Sequence, residues 1–120
     1  MTLKLKRIYE PYSKDDGFRV LVERLWPRGM SKEKAHVELW LRNIGPSNEL
    51  RKWFNHDTNK WEEFQKRYLH ELENNIALDK LKSIVSMQRN VTLVFSSQNE
   101  ENNNAVVLYN LLAKQKDKKS

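Results

Sequence analysis

Three stretches of the chain have the hydrophobic patterns of β-strands. Residues Leu3–Ile8 alternate between apolar and basic side chains, which is typical of a strand with one exposed face. Residues Phe18–Glu23 and Val91–Phe95 are dominated by aliphatic side chains, as expected for strands that are covered on both faces. We therefore predict one half-exposed strand and two buried strands, with Phe18–Glu23 near the centre of the sheet.

Helical periodicity occupies most of the remaining chain. Ser31 can cap a short helix that continues to about Lys34. Apolar residues at positions i, i+3, i+4 and i+7 over Val37–Ile44 predict a second short helix, which ends at Gly45. Further helices are predicted from Ser47 to Phe54, from Thr58 or Asn59 to about Glu73, from near Leu78 to about Gln88, and after Ser97, where Ser97 and Glu100 have the spacing of a capping box.

Strands that lead into helices predict an α/β fold in which helices pack on a small, mostly parallel sheet. We expect one domain over residues 1–113, followed by a flexible basic tail over residues 114–120. Ligands of such sheets bind beyond the carboxyl ends of the strands. The loops Leu25–Lys32 and Ser96–Asn104 are therefore the expected places for a site.

Composition narrows the possible functions of this domain. The 120 residues include no cysteine, which excludes disulfides, thiol nucleophiles and zinc–thiolate sites. The three glycines are scattered, so no glycine-rich phosphate loop is present, and no G-x-S-x-G motif surrounds a serine. We expect no cofactor, no bound metal and no membrane segment, and the missing signal peptide favours a cytoplasmic location.

The formal net charge of +6 raises the question of a nucleic-acid partner. Four lysines and one aspartate lie in the seven residues of the tail, so this segment carries half of the net charge. Terminal runs of this kind are usually solvated ends. Nucleic-acid binding through the tail is accordingly a less favoured hypothesis than a site on the folded body.

The segment Arg24–Gly29 concentrates the residues that bind anions. It places Arg24, Trp26 and Arg28 at the exit of a buried strand, with Lys32 in the first turn of the following helix. Guanidinium groups and the N–H groups of a helix start suit a phosphate or a carboxylate. The alternative is structural, with Arg24 paired to a carboxylate and Trp26 filling the core.

A second cluster lies farther along the chain, over Arg51–Asp57. Arg51 adds a guanidinium, and His56 is the candidate for proton transfer because Asp57 can orient or protonate it. His36 and His70 have no second ligand at a metal-binding spacing. Three tryptophans, Trp40, Trp53 and Trp61, lie on apolar helix faces and are expected in the core, whereas Trp26 lies on a loop.

Six motifs occur in a fixed order over nearly the whole chain: Arg19–Gly29, Gly45–Ser47, Leu50–Asp57, Trp61–Leu72, Thr92–Ser97 and Asn103–Leu108. Together they resemble the domain-of-unknown-function 488 family, in its short YeaO-like branch. The resemblance implies a Rossmann-like three-layer α/β fold and supplies no established activity. Longer relatives often carry a cysteine at the end of the last strand, where this chain has Ser96 or Ser97, so thiol chemistry is not implied and Ser96 joins the expected ligand-binding residues.

Three functions remain open at this point. The protein binds or acts on a small anionic ligand through Arg24, Arg28, Lys32 and Arg51, or it is an interaction module without chemistry, or it is a nucleic-acid-binding accessory protein. Convergence of the arginines and His56 on one open pocket favours the first, and burial of each arginine against its own carboxylate favours the second.

Overall fold

The computed structural model describes the backbone of residues 2–119 and the side chains of residues 2–114. The strands and α-helices in this part of the chain are β1 (Thr2–Arg7), β2 (Phe18–Leu21), α1 (Lys32–Ala35), β3 (Leu39–Trp40), α2 (Asn48–Phe54), α3 (Trp61–Leu72), α4 (Ile76–Met87), β4 (Asn90–Phe95) and α5 (Asn104–Lys119). Short 3-10 helices cover Lys14–Asp16, Arg42–Ile44 and Thr58–Lys60. Of the helices over residues 2–119, none combines the length and apolarity that crossing a membrane requires.

The four strands form one sheet in the order β1-β4-β2-β3, and every neighbouring pair is parallel. The predicted α/β class with a parallel sheet is confirmed. Strand β2 lies between β4 and β3, as its aliphatic sequence predicts, and the alternating strand β1 lies at an edge. Because all strands run in one direction, the residues that follow β2 and β4 meet at the same end of the sheet.

The two faces of the sheet are covered unequally. On one face, alternate residues of β2 and β4, among them Val20 and Leu93, pack in a large core with helices α2, α3, α4 and α5. The opposite face carries a small core of Ile8, Leu21, Ala35 and Val94, covered by α1 and by loop side chains. Most of the hydrophobic stabilisation therefore comes from the first face.

The helix predicted over Val37–Ile44 is wrong. The chain there forms β3, in which Leu39 and Trp40 pair with Val20 and Leu21 of β2, followed by the 3-10 helix. The apolar spacing over these eight residues fits either structure. The open edge of β2 decides between them, since pairing satisfies backbone groups that a short helix would leave free.

Capping residues set the starts of most helices. Ser31, the predicted cap, and Ser47, where a helix was predicted to start, each accept a hydrogen bond from the N–H of the third residue after them. Before α3, Asp57 caps the 3-10 helix, rather than Thr58 or Asn59 capping α3. The predicted capping box of Ser97 and Glu100 is wrong, because α5 begins only at Asn104. The Ser97 hydroxyl instead accepts a hydrogen bond from the N–H of Asn99 within the preceding loop.

The backbone of the last helix, α5, continues to Lys119. Among the described side chains, which end at residue 114, Leu112 is the last one in the core. The predicted flexible tail, residues 114–120, falls almost entirely on side chains outside the described residues. The domain boundary at residue 113 therefore stays a prediction.

Candidate functional site

The carboxyl ends of β2 and β4 open into a cavity of about 490 Å³, which we call the strand-end cavity. Its walls come from the loop after β2, the end of α2 and the loop between β4 and α5. All of the expected site residues except Lys32 line it: Arg24, Trp26, Arg28, Arg51, His56 and Ser96.

Lys32 lies apart from the other expected site residues. It is exposed in α1, a helix of 4 residues, and is not among the residues that line the cavity. The loop before α1 folds back on itself, since the Trp26 indole N–H donates to the Met30 carbonyl at 2.6 Å. The start of α1 therefore does not contribute to this site.

The three arginines of the cavity are held in different ways. Arg24 is half-buried, and its Nε donates to the Pro46 carbonyl at 2.7 Å. Arg51 donates from Nη2 to the Asn48 side chain at 2.7 Å, and its buried Nε has no hydrogen-bond partner. The Arg28 side chain is exposed, and its backbone carbonyl accepts a hydrogen bond from the Tyr9 hydroxyl.

None of these three arginines forms an ion pair within residues 2–114, where ion pairs involve other basic residues. The structural alternative for Arg24 expected a carboxylate partner, and the structure provides the Pro46 carbonyl instead. A neutral carbonyl leaves the positive charge of a guanidinium uncompensated. The residues that line the cavity consequently carry an excess of positive charge.

Glu23 lines the cavity, but the sequence did not single it out as a site residue. Its carboxylate accepts hydrogen bonds from the Ser96 N–H at 2.8 Å and from the Ser96 hydroxyl at 2.8 and 3.0 Å. Burial raises the pKa of Glu23, and the Ser96 hydrogen bonds and the charge of Arg51 lower it by less. Its position directly after the aliphatic residues Val20–Val22 was the available signal, because side chains there lie at the ligand end of a parallel sheet.

His56 reaches the rim of the cavity through a backbone turn at the end of α2. Asn55 and His56 both have left-handed backbone conformations, with φ angles of 43° and 57°. The expected orientation by Asp57 is not observed, since the Asp57 carboxylate accepts a hydrogen bond from the Asn59 N–H. His56 is exposed, and within the described side chains no carboxylate forms an ion pair with it.

The four tryptophans do not separate clearly into three core residues and one loop residue, as the sequence predicts. Trp53 and Trp61 pack against the large core but remain half-buried, and Trp40 packs against the small core from β3. Trp26 is also half-buried, with its ring centroid 5.4 Å from that of Trp40 in an edge-on contact. Trp26 therefore belongs both to the cavity wall and to the packing of the small core.

Asparagines complete the cavity on the side of α5. Asn102, Asn103 and Asn104 line it, and the Asn104 amide donates to the Val22 carbonyl at 2.7 Å. Asn103 accepts a hydrogen bond from the Val106 N–H in the first turn of α5. The loop was expected to contribute to a site, but the sequence alone did not single out these side chains.

The fold and cavity define a parallel α/β protein with an arginine-lined cavity at the carboxyl ends of its strands. The family model described as the inactive DUF488-N3 subclade matches residues 2–120, and the chain belongs to this family. The resemblance found in the sequence is thereby confirmed.

Proteins of similar length are also similar in sequence to this chain. The uncharacterized protein YeaO of Escherichia coli K12 is 37% identical over 108 residues, which cover 90% of this chain and 94% of YeaO. The uncharacterized protein Rv3073c of Mycobacterium tuberculosis H37Rv is 37% identical over 110 residues, which cover 92% of each chain. No solved structure matches this chain.

Proposed function

We propose that the strand-end cavity binds a small ligand that carries a phosphate or a carboxylate group. The observation that carries the proposal is the convergence of Arg24, Arg28 and Arg51 on one cavity, without an ion pair to any of them among the described side chains. Guanidinium groups bind such anions through paired, charge-assisted hydrogen bonds. The volume of about 490 Å³ lies in the range of small-molecule sites.

Aromatic residues in the cavity lining indicate a second property of the ligand. Trp26, Phe54 and Phe64 all contribute to the lining, so the cavity combines apolar side chains with the arginines. Small-molecule sites commonly combine apolar walls with a few polar groups that fix orientation. A ligand with a flat apolar body and one anionic end, such as an aryl phosphate, suits this arrangement.

Binding without turnover is favoured over catalysis. Among the described side chains, no carboxylate forms an ion pair with the exposed His56, and the neighbouring Asp57 accepts from the Asn59 N–H instead. A catalytic base is commonly held in place by such a partner. The word "inactive" in the description of the family supports the same choice.

The Rossmann-like description of the fold stays a prediction.

The interaction-module hypothesis also stays a prediction, and it assigns the arginines a structural role. Such a role is supported for Arg19, which is fully buried and paired with Asp16, but Arg19 does not line the cavity. The cavity arginines differ from Arg19 in lacking such a partner among residues 2–114. This contrast is why we rank ligand binding first.

The test is calorimetric titration of phenyl phosphate and inorganic phosphate into the wild type and two arginine variants. Arg28→Ala should weaken binding about tenfold or more, because a charge-assisted hydrogen bond contributes about 1.5 to 3 kcal/mol. Arg89→Ala is the matched control, since Arg89 is exposed just before β4 at the opposite end of the sheet. Equal affinities of the two variants, or no binding by the wild type, would overturn the proposal.

A further inference from the structure

The carboxylate of Glu23 lies where an external anion would find hydrogen-bond donors. Glu23 follows β2 and Ser96 follows β4, and these strands are neighbours in the sheet. The Ser96 N–H and hydroxyl both donate to this one carboxylate, over distances of 2.8 to 3.0 Å. The protein therefore supplies its own anion to the donors at the end of β4.

Positively charged groups surround this internal anion. The loop after β2 provides Arg24 and Arg28 to the cavity lining, and α2 and its end provide Arg51, Lys52 and His56. From β1, Arg7 donates hydrogen bonds to the Ser96 and Ser97 carbonyls. Glu23 is the only carboxylic residue among the residues that line the cavity in the described part of the chain. A ligand anion entering the cavity would thus meet one negative charge among several positive ones.

The cost of placing two anions in this cavity is large. Like charges at hydrogen-bonding distance repel each other by several kcal/mol in a partly buried site, and proton uptake by one of them removes the repulsion. Burial already raises the pKa of Glu23, so the neutral carboxyl is more accessible here than at the surface. A neutral Glu23 can also donate its proton in a hydrogen bond to the ligand.

We propose that Glu23 is a built-in competitor for the anion site, so that an anionic ligand binds with uptake of one proton by the Glu23 carboxylate. The proton comes from solvent, and no covalent bond of the protein is made or broken. This inference rests on the proposed function, because it concerns the same cavity. It makes affinity for anions greater at acidic pH than at alkaline pH.

Sulfate is the probe of choice for a test, because its charge does not change between about pH 5 and pH 8. The comparison is made in a His56→Gln background, so that Glu23 is the group under test. Glu23→Gln removes the titrating carboxyl while keeping a side chain of the same shape. Glu62→Gln, on the exposed face of α3, is the matched control.

Sulfate affinity and proton uptake are measured by calorimetry in two buffers of different ionisation enthalpy. In the His56→Gln background, affinity should fall as pH rises, by up to about tenfold per pH unit above the pKa of Glu23. Adding Glu23→Gln should abolish the pH dependence and strengthen binding about tenfold or more near pH 8, whereas Glu62→Gln should change neither.

Two other results have distinct meanings. If sulfate binds but Glu23→Gln leaves affinity and proton uptake unchanged, the inference is wrong and the proposed function stands. If neither the wild type nor any variant binds sulfate between about pH 5 and pH 8, the inference is wrong, and the titration with phenyl phosphate and inorganic phosphate decides the proposed function. Urea denaturation of each variant verifies that it is folded in the titrations.

Discussion

The carboxylate of Asp16 and the guanidinium of Arg19 form a buried ion pair of 2.6 Å on the thinly covered face of the sheet. The same carboxylate also accepts hydrogen bonds from Lys6 and from the Ser13 N–H. Burial by itself raises the pKa of Asp16, but the bonds from Lys6, Ser13 and Arg19 outweigh it, and the pKa lies below its ordinary value of 3.8. One carboxylate thus holds together two strands and the loop between them.

Asp16→Asn should destabilise the protein by about 3 to 5 kcal/mol, because it leaves Arg19 charged and buried without its partner. The lowered pKa of Asp16 also predicts how the stability of the protein depends on pH. Asp16 contributes its stabilisation fully above the unfolded-state pKa, and the contribution is lost as pH falls through the lower pKa of the folded state. In urea denaturation between about pH 2 and pH 7, the free energy of unfolding should therefore decrease less on acidification in Asp16→Asn than in the wild type.

The phenol of Tyr68 carries a second prediction. It is fully buried and donates to the Ile44 carbonyl at 2.6 Å, which ties α3 to the segment that follows β3. Tyr68→Phe should cost about 1 to 3 kcal/mol, because the Ile44 carbonyl loses its buried partner. Tyr12→Phe is the control, since the Tyr12 ring is exposed. Equal midpoints of urea unfolding for the two variants would contradict a structural role for the Tyr68 hydroxyl.

Trp26 should report ligand binding through its fluorescence. Its indole lines the strand-end cavity, whereas Trp53 lies beside Arg67 and Lys60 and is not part of the lining. Phenyl phosphate should therefore change the emission of the wild type and of Trp53→Phe, and the change should be largely lost in Trp26→Phe. A ligand-induced change that survives in Trp26→Phe but disappears in Trp53→Phe would place the ligand elsewhere.

Deletion of Lys114–Ser120 should leave anion binding unchanged. Every residue that lines the cavity in the described part of the chain precedes α5 or is its first residue. Leu112 is the last core residue among the side chains of residues 2–114. We expect the melting temperature to change by only a few degrees, because the deletion removes no residue of the core clusters. Nucleic-acid binding of undiminished salt dependence after the deletion would instead locate a polyanion site on the folded body.

The sequence alone determined the elements whose hydrophobic pattern is long or distinctive. Strand β2 and strand β4 were predictable because continuous aliphatic runs need cover on both faces, and α3 was predictable from its apolar stripe. The clustering of Arg24, Trp26 and Arg28 after β2 also indicated the site, since the carboxyl ends of parallel strands share one edge of a sheet.

Tertiary structure decided what depends on contacts between distant segments. Strand β3 forms because the edge of β2 offers it hydrogen bonds. The residues of β3 themselves carry no information about the position of that edge. Glu23 and Ser96 are 73 positions apart, and they meet because β2 and β4 are neighbours in the sheet. Lys32 is excluded from the cavity by the way the loop before α1 folds back. Local periodicity encodes which face of an element is apolar, whereas the pairing of strands fixes which side chains share a site.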